Sequence, residues 1–309
     1  MKYPKLLKNN DLIGITALSS GASDCKEEME LAIDNLNKIF KVEVTKNVFG
    51  SSLVSSSKKQ RIDELNYLLN KNIKGIIIAR GGDFLLEIID DIDYKKIKKK
   101  NIWVEGASDP TSLLYILTTK YDLATIYGRN AKQFSESNSI DVKDNIKLIM
   151  DNNYIQNDYK DRKIESVNGN FKDSGVIIGG CLDCLKDIIG TKYDNTKKFI
   201  EKYKDKKIIW YFDIFAMSSV SVYLTLLQLK LAGWFKYSNT FIFGTVRYET
   251  IYADMSYEDA IKKALKEFDN IIINANIGHV KPANTIINGS YATIEFKNGR
   301  YELKQEFMN

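Results

Sequence analysis

The sequence predicts an α/β protein whose first half forms a parallel β-sheet with helices on both faces. In this half of the 309-residue chain, short apolar runs alternate with amphipathic stretches of helical spacing. Strands and helices that alternate in this way build parallel sheets. Residues 152–174 are polar and rich in Asn, Asp and Lys, and the pattern after them is mixed. We therefore predict two domains, 1–160 and 161–309, which agrees with about 150 residues per domain.

The elements of the first half can be placed by the periodicity of their apolar residues. Strands are predicted at 11–17, 42–48, 74–79, 102–104 and 123–127, and helices at about 24–40, 60–69, 85–89 and 110–119. In open parallel sheets, ligands bind at the carboxyl ends of the strands. Polar residues that directly follow these strands are therefore the first candidates for a site.

The second half mixes strands and helices without regular alternation. Strands are predicted at 176–178 and 207–212, a helix at 257–268, and strand segments within 285–307. Asn288-Gly289 and Asn298-Gly299 are typical of hairpin turns. The stretch 220–231 fits both strand and helical periodicity, and its length favours a buried helix that ends at Gly233.

The composition excludes several classes of protein. Lys and Arg total 45 against 40 Asp and Glu, and this net charge of +5 is too small for us to expect nucleic-acid binding. The single histidine, His279, excludes any site that needs two imidazoles. Three cysteines do not suit a disulfide framework, and neither an apolar leader nor a membrane-spanning run is visible. We therefore expect a cytoplasmic protein with no membrane partner.

The turn around Ser108 is the sharpest local signal for chemistry. A strand that ends near Gly106 leads into Ser108 and then into a helix that tolerates Pro110 in its first turn. This is the context of a nucleophile elbow, although the closing glycine of the usual motif is absent. Such a turn presents a serine hydroxyl near helix N-terminal amides that stabilise an oxyanion. The alternative is that Ser108 only caps the helix.

The segment Arg80-Gly81-Gly82-Asp83 forms a second strand-to-helix turn. Paired glycines allow backbone amides to approach an anion or an oxyanion, although the length and the lysine of a phosphate-binding loop are missing. A tight turn without further function is the alternative. Arg80 is a candidate to bind a substrate carboxylate or to pair with Asp83.

Asp213 and His279 each follow an apolar, strand-like run. A histidine at a strand end beside a glycine is well placed to act as a general base, and a carboxylate can orient its ring. Ser108, Asp213 and His279 together have the residue types of a Ser–acid–His site. The alternatives are a structural histidine and an aspartate that caps the following helix.

Two further motifs carry weaker signals. Cys181-Leu182-Asp183-Cys184 is a single pair of cysteines without a second pair or a neighbouring histidine, so we do not expect a metal there. The basic run 95–100 is typical of a solvated helix end, and it lacks the interleaved aromatic residues of a single-strand nucleic-acid site.

The order of motifs along most of the chain resembles the LD-carboxypeptidase family of serine peptidases, which includes muropeptide LD-carboxypeptidases and microcin C immunity peptidases. The matching segments are Gly14 to Ser20, Arg61 to Leu65, Gly75 to Gly82, Gly106 to Thr111, Thr118 to Lys120, Ala124 to Gly128, Gly179 to Leu182, Gly190-Thr191, Gln228 to Lys230, Ala232 to Phe235 and Gly278-His279.

The resemblance implies roles for the candidate residues. Ser108 would be the nucleophile, His279 the general base and Asp213 the acid of the triad. The backbone amides of Gly82 and Asp109 would bind the oxyanion, while we expect Arg80 and Gly81 to contact the substrate. The implied fold is a flavodoxin-like or class I amidotransferase-like domain followed by a smaller β-rich domain, usually as a homodimer, with no cofactor and no metal.

The implied activity is hydrolysis of an amide bond between an L-residue and a D-amino acid in murein-type peptides. One alternative is a hydrolase of peptidyl- or aminoacyl-nucleotides of the immunity type. A second alternative is a weakened or non-catalytic homologue that binds a peptide or a metabolite. Two departures from the family pattern motivate it: the triad acid is Asp213 where the family usually has Glu, and Ala107 replaces an aromatic residue. A third departure is Glu105, which stands at an apolar position.

Overall fold

The chain folds into two units, each built around one β-sheet. The computed structural model describes residues 1–151, 154–252 and 254–308. The first unit comprises Met1–Asn152 with Thr285–Asn288, and the second comprises Asn153–Asn284 with Gly289–Asn309. The start of the predicted boundary stretch, 152–153, lies outside the described residues.

The described residues contain strands and α-helices in the following order. The strands are β1 (Leu12–Thr16), β2 (Lys41–Val44), β3 (Gly75–Ile78), β4 (Trp103–Gly106), β5 (Thr125–Tyr127), β6 (Ile155–Asn157), β7 (Glu165–Ser166), β8 (Phe171–Cys181), β9 (Ile208–Asp213), β10 (Ser238–Gly244), β11 (Asn270–Ala275), β12 (Ile286–Asn288), β13 (Tyr291–Lys297) and β14 (Arg300–Glu306). The α-helices are α1 (Lys26–Asn37), α2 (Lys58–Asn70), α3 (Tyr94–Lys100), α4 (Thr111–Thr119), α5 (Ile140–Met150), α6 (Leu182–Leu185), α7 (Thr196–Lys202), α8 (Ser219–Leu231) and α9 (Tyr257–Ala264). Short 3-10 helices cover Lys46–Phe49, Leu85–Asp91, Ala131–Glu136 and Lys204–Lys206.

The sheet of the first unit has six strands in the order β12-β5-β4-β3-β1-β2. Strands β1 to β5 are parallel to their neighbours, and β12 joins the edge antiparallel to β5. The order 2-1-3-4-5 of the parallel strands is that of flavodoxin-like folds, which confirms the predicted fold class. Its carboxyl edge carries the turns that follow β3 and β4, where sequence analysis placed Gly82 and Ser108.

Buried apolar side chains fix the turn after β4 in place. Strand β4 is buried along its whole length, and so is every residue of α4. Because both elements that flank the turn are surrounded by core, the backbone between them has little freedom to move.

The sheet of the second unit has eight strands in the order β6-β14-β13-β8-β9-β10-β11-β7. Strands β8 to β11 form a parallel centre, and the remaining strands join it antiparallel on both sides. Cys181 and Asp213 are register partners at the ends of β8 and β9. The side chains that follow this edge therefore converge in space although they lie far apart in sequence.

One of the two predicted hairpins is wrong. Asn298 and Gly299 have φ of 54° and 76° and connect the antiparallel strands β13 and β14, as predicted. The segment before Asn288-Gly289, in contrast, is β12, which pairs with β5 in the first sheet and not with β13. A local turn signal carries no information on which sheet a strand will join.

Helix α8 covers the whole of the ambiguous stretch 220–231, but it is only partly buried. Val222, Leu226 and Leu229 face the core, whereas Leu224 and Leu231 are 57% and 86% exposed. Within the described ranges, no helix combines the length and the apolar character needed to cross a membrane.

Candidate active site

Ser108 lies in a strained turn between β4 and α4. Its φ of 71° is in the left-handed region, which a serine adopts only at a cost. The carbonyl oxygen of Ser108 accepts a hydrogen bond of 2.8 Å from the amide of Thr111. Helix α4 has Pro110 in the N-cap position, so Ser108 lies two residues before the cap and does not serve as the capping residue. The geometry is therefore that of a nucleophile elbow.

Two side chains that sequence reasoning missed hold this turn. The side-chain amide of Asn130 accepts from the backbone amide of Ala107 at 3.0 Å and donates to its carbonyl at 3.1 Å. The amide of Ser108 donates to the hydroxyl of Tyr127 at 3.2 Å. Both residues follow or end β5, the neighbour of β4 in the sheet, and only this pairing brings them to the turn.

The glycine turn after β3 packs directly against Ser108. A Cβ atom at Gly81 would lie 2.9 Å from the Cβ and 3.1 Å from the Oγ of Ser108, so a glycine is required there. Gly82 has a φ of 138°, and a Cβ on it would meet the hydroxyls of Ser19 and Ser20 at 2.4 Å. The turn predicted to bind an oxyanion thus lies beside the candidate nucleophile.

The side chain of Asp109 ties the two turns together. Its Oδ2 accepts a hydrogen bond of 2.9 Å from the amide of Leu85, at the far end of the glycine turn. Burial raises the pKa of Asp109 to about 6. The hydrogen bonds from Ser19 and from the backbone act in the opposite direction, because they favour the charged form. Asp109 therefore fixes the position of the glycine turn relative to Ser108.

Arg80 is engaged with residues other than the predicted partner. Its guanidinium donates to the carbonyl of Gly21 at 2.8 Å and forms an ion pair with Asp24. The hydrogen bond from Arg80 lowers the pKa of Asp24. The predicted pairing with Asp83 is wrong, because the chain between β1 and α1 brings Asp24 to this guanidinium.

Glu105 is buried in β4, three residues before the candidate nucleophile. Its Oε1 accepts hydrogen bonds from the amide of Arg129 at 2.8 Å and from the side chain of Asn145 at 2.6 Å. Burial raises the pKa of Glu105 to about 7 despite these donors. The carboxyl group that departs from the family pattern thus has a defined polar environment.

In the second unit, Asp213 and His279 form a hydrogen-bonded pair. Nδ1 of His279 lies 2.6 Å from Oδ2 of Asp213, and the backbone amide of His279 donates to Oδ1 at 3.1 Å. The side chain of Asp213 is completely buried, while that of His279 is 19% exposed. Burial acts to lower the pKa of His279, but the charge and the hydrogen bond of Asp213 outweigh burial and raise it above its usual value.

Gly278 permits this close approach. Its φ is 83°, and a Cβ on it would lie 1.9 Å from Cγ of Asp213. Any side chain at position 278 would push the carboxylate away from His279. The absence of a Cβ lets an aspartate, one methylene shorter than a glutamate, reach the imidazole and the amide together.

Exposed aromatic residues lie beside His279. The ring of Phe215 is 4.5 Å from that of His279, and Tyr248 packs edge-on against Phe215 at 5.1 Å. The guanidinium of Arg247 lies 5.4 Å from the ring of Tyr248. Phe215 and Tyr248 remain 36% and 55% exposed, so this group, which sequence reasoning missed, offers a surface for a planar ligand.

The predicted residues fall into two groups. Ser108, Asp109, Arg80, Gly81 and Gly82 belong to the first unit, where the structure brings the two turns together. Asp213 and His279 belong to the second unit, where they pair.

Two family models match the sequence of the chain. The model of the LD-carboxypeptidase N-terminal domain matches residues 13–128, and that of the LD-carboxypeptidase C-terminal domain matches residues 174–294. The chain belongs to the LD-carboxypeptidase family. The resemblance carried by the motifs is thereby confirmed, and the family assignment makes the protein a serine-type carboxypeptidase or related hydrolase.

Several solved structures share the fold of the chain. The microcin self-immunity protein MccF in complex with aspartyl sulfamoyl adenosine has a TM-score of 0.84 at 20% identity, and both chains are covered completely. An MccF-like protein from Bacillus anthracis str. Ames has a TM-score of 0.82 at 22% identity, again with complete coverage of both chains. A muramoyltetrapeptide carboxypeptidase from Oxalobacter formigenes has a TM-score of 0.81 at 16% identity and covers 96% of this chain and 100% of its own. No curated protein sequence matches the chain.

Proposed function

We propose that this LD-carboxypeptidase family member hydrolyses an amide bond with Ser108 as nucleophile, His279 as general base and Asp213 as the residue that orients His279. The observation that carries the proposal is the 2.6 Å contact between Asp213 and Nδ1 of His279. A carboxylate on Nδ1 leaves the other ring nitrogen, Nε2, with the lone pair that accepts a proton.

The reaction would follow the usual course of serine hydrolases. Oγ of Ser108 attacks the carbonyl carbon and passes its proton to Nε2 of His279. The tetrahedral intermediate collapses when His279 returns that proton to the leaving amine, which departs as the C–N bond breaks. Water, activated by His279, then adds to the acyl-serine and releases the acid and free Ser108.

Backbone amides of Gly82 and Asp109 are the proposed oxyanion donors. Two observations support this role: Gly81 lies so near Ser108 that a Cβ on it would be 2.9 Å from the Cβ of the serine, and Asp109 lies in the turn that leads into α4. Amides fixed in place before the reaction stabilise the developing negative charge without reorganisation.

The proposed substrate is a murein-type peptide that is cut between an L-residue and a terminal D-amino acid. Family membership and the muramoyltetrapeptide carboxypeptidase among the solved structures support this class. Arg80 and Gly81 are the proposed contacts with the substrate. Gly81 lies beside Ser108, and the guanidinium of the preceding Arg80, which also pairs with Asp24, can attract the carboxylate of the leaving amino acid.

A specific observation favours a second substrate class, an aminoacyl or peptidyl nucleotide. The exposed rings of Phe215, beside His279, and of Tyr248, with the guanidinium of Arg247 over it, are suited to stack on a planar base. MccF, the similar structure described above, holds aspartyl sulfamoyl adenosine.

Hydrolysis assays with both substrate classes test the proposal. We expect the purified chain to release either a D-amino acid from an L,D-peptide or the amino acid from an aminoacyl sulfamoyl nucleoside, and Ser108→Ala to abolish this release. A matched peptide with an L-residue at its end controls for stereospecificity. If neither substrate class is cleaved while calorimetry shows that one of them binds, the protein is a non-catalytic homologue and the hydrolase proposal fails.

We also propose that the protein is a homodimer in the cytoplasm. The exposed side chains of Leu224 and Leu231 on α8 give a second copy an apolar surface to cover. Light scattering of the wild type and of Leu231→Glu tests this surface, since loss of an apolar contact should shift a dimer towards the monomer.

A further inference from the structure

We infer that Cys181, Asp213 and His279 form a zinc-binding site that competes with the Asp213–His279 pair. The thiol sulfur of Cys181, a carboxylate oxygen of Asp213 and a ring nitrogen of His279 all lie within 4.8 Å of one another. Cys181 and Asp213 are buried, and His279 is largely buried. Cys181 has no part in the proposed hydrolysis.

Sheet register brings these three side chains together. Cys181 and Asp213 are opposite each other at the ends of the parallel strands β8 and β9, so their side chains emerge at the same edge. His279 reaches this edge through its two hydrogen bonds to Asp213. No histidine lies near the motif from Cys181 to Cys184 in the sequence, but the fold brings in His279, which follows Cys181 by 98 residues.

The donor set matches the preference of Zn²⁺. A thiolate, an imidazole and a carboxylate are its usual protein ligands, and three of them leave the fourth tetrahedral position open. Ligand atoms that lie about 2.0–2.3 Å from a tetrahedral ion are roughly 3.3–3.7 Å from one another. The distances between the ligand atoms of the three side chains therefore have to change by only about 1 Å. Harder cations such as Mg²⁺ do not favour a thiolate.

The electrostatic environment also favours a cation. Oδ2 of Asp183 lies 3.6 Å from the sulfur of Cys181, which adds a second carboxylate to the cluster. The negative potential of these two carboxylates stabilises a divalent ion, and the thiol gives up its proton when its sulfur binds the ion.

Zinc at this position would inhibit the proposed hydrolysis, and this consequence rests on the proposed function. The ion replaces the proton between Nδ1 of His279 and Asp213, so the ring proton must reside on Nε2. A protonated Nε2 has no lone pair with which to accept the proton of a serine. One proton, from Cys181, is released to solvent for each ion bound.

Metal binding can be measured on the full chain without any substrate. Calorimetry with Zn²⁺ and absorption spectra with Co²⁺ should give one ion per chain, with the intense near-ultraviolet band of a thiolate-bound ion. We expect Cys181→Ser and His279→Ala each to weaken binding by about tenfold or more, since even indirect partners of a metal site cost about 10- to 100-fold. Cys25→Ser, a cysteine outside the cluster, and Ser108→Ala should bind as the wild type does.

Several results would overturn the inference. One is the absence of a thiolate band. A second is Zn²⁺ affinity that Cys181→Ser leaves unchanged. A third is affinity lost in Cys184→Ser but kept in His279→Ala, which would indicate a site made by the cysteine pair alone.

These binding measurements need no turnover. Their outcome is therefore independent of whether the hydrolase proposal holds. Where turnover is detected, Zn²⁺ should inhibit the wild type, a chelator should restore it, and Cys181→Ser should resist inhibition.

Discussion

The carboxylate of Asp213 contacts His279 twice, at ring atom Nδ1 at 2.6 Å and at the backbone amide at 3.1 Å. Two contacts to one residue fix both the position and the orientation of the imidazole. In the proposed triad, an aspartate can therefore position the imidazole, where the family pattern inferred from the motifs has the longer glutamate. The short side chain suffices because Gly278 has no Cβ to keep the two segments apart.

Asp213→Asn should reduce kcat strongly while the fold persists. An amide cannot stabilise the imidazolium that forms during the reaction, and it can hold the ring in the wrong tautomer. The loss in serine hydrolases of this kind is about 10⁴-fold. Steady-state kinetics, with thermal melting as the control for folding, measure the effect. A variant that retains more than a tenth of the wild-type kcat would mean that Asp213 is not the orienting acid.

Gly81→Ala should disable Ser108 without unfolding the protein. The new Cβ would lie 2.9 Å from the Cβ of Ser108, so the serine has to move. A displacement of about 1 Å at a reacting atom costs on the order of 10²-fold in rate. Gly75→Ala is the matched control, because a Cβ in β3 at that position meets its nearest neighbour at an ordinary 3.6 Å. Equal rates for the two variants would contradict the packing of the glycine turn on the nucleophile.

Asn130→Ala should lower both stability and kcat. The variant leaves the amide and the carbonyl of Ala107 without their partner, at a cost of about 2 kcal/mol in the free energy of unfolding. Asn35→Ala is the matched control, since the Asn35 side chain also donates to backbone carbonyls of its unit, at 3.0 and 3.3 Å, but away from the turn. We expect similar losses of stability in both variants and a fall in kcat only for Asn130→Ala. A normal kcat in Asn130→Ala would show that this clamp does not position Ser108.

Glu105 should make the stability of the protein depend on pH. Its pKa is about 7 in the folded state and about 4.5 when the chain is unfolded. Between these values the folded state binds more protons than the unfolded state, so the free energy of unfolding falls as pH rises. The contribution is complete below about pH 4.5 and lost above about pH 7, a change of about 3 kcal/mol.

Glu105→Gln removes this titration while its side-chain oxygen can still accept from Arg129 and Asn145. The free energy of unfolding of the variant minus that of the wild type should therefore be larger at pH 8.5 than at pH 5, by an amount on the order of 3 kcal/mol. Denaturant unfolding at the two pH values measures the difference. A gap between the two proteins that is the same at both values would mean that Glu105 does not titrate as its burial implies.

Much of the fold could be predicted from the sequence, because the residues that determine a strand or a turn are close neighbours in the chain. The apolar runs at β1, β3 and β4 and the turns after them follow from periodicity and from glycine and proline signals. The residue types at Ser108, Asp213 and His279 also stood out, because each follows an apolar run.

Relations that depend on sheet register could not be predicted. Asn130 reaches the turn of Ser108 only through the pairing of β4 with β5, and Cys181 reaches Asp213 only through that of β8 with β9. The same holds for Asn288-Gly289, whose preceding strand joins the other sheet. The pairing of Arg80 with Asp24 could not be predicted either, because it depends on the position of the loop before α1 in the fold.

The reactivity of Ser108 tests the central claim most directly. Incubation of the folded protein with a fluorophosphonate, followed by mass spectrometry of its peptides, identifies any serine activated as a nucleophile. We expect a single adduct on Ser108, and a much slower reaction in His279→Ala at unchanged melting temperature. No adduct on Ser108, or equal labelling of the wild type and His279→Ala, would contradict a nucleophile activated by the Asp213–His279 pair.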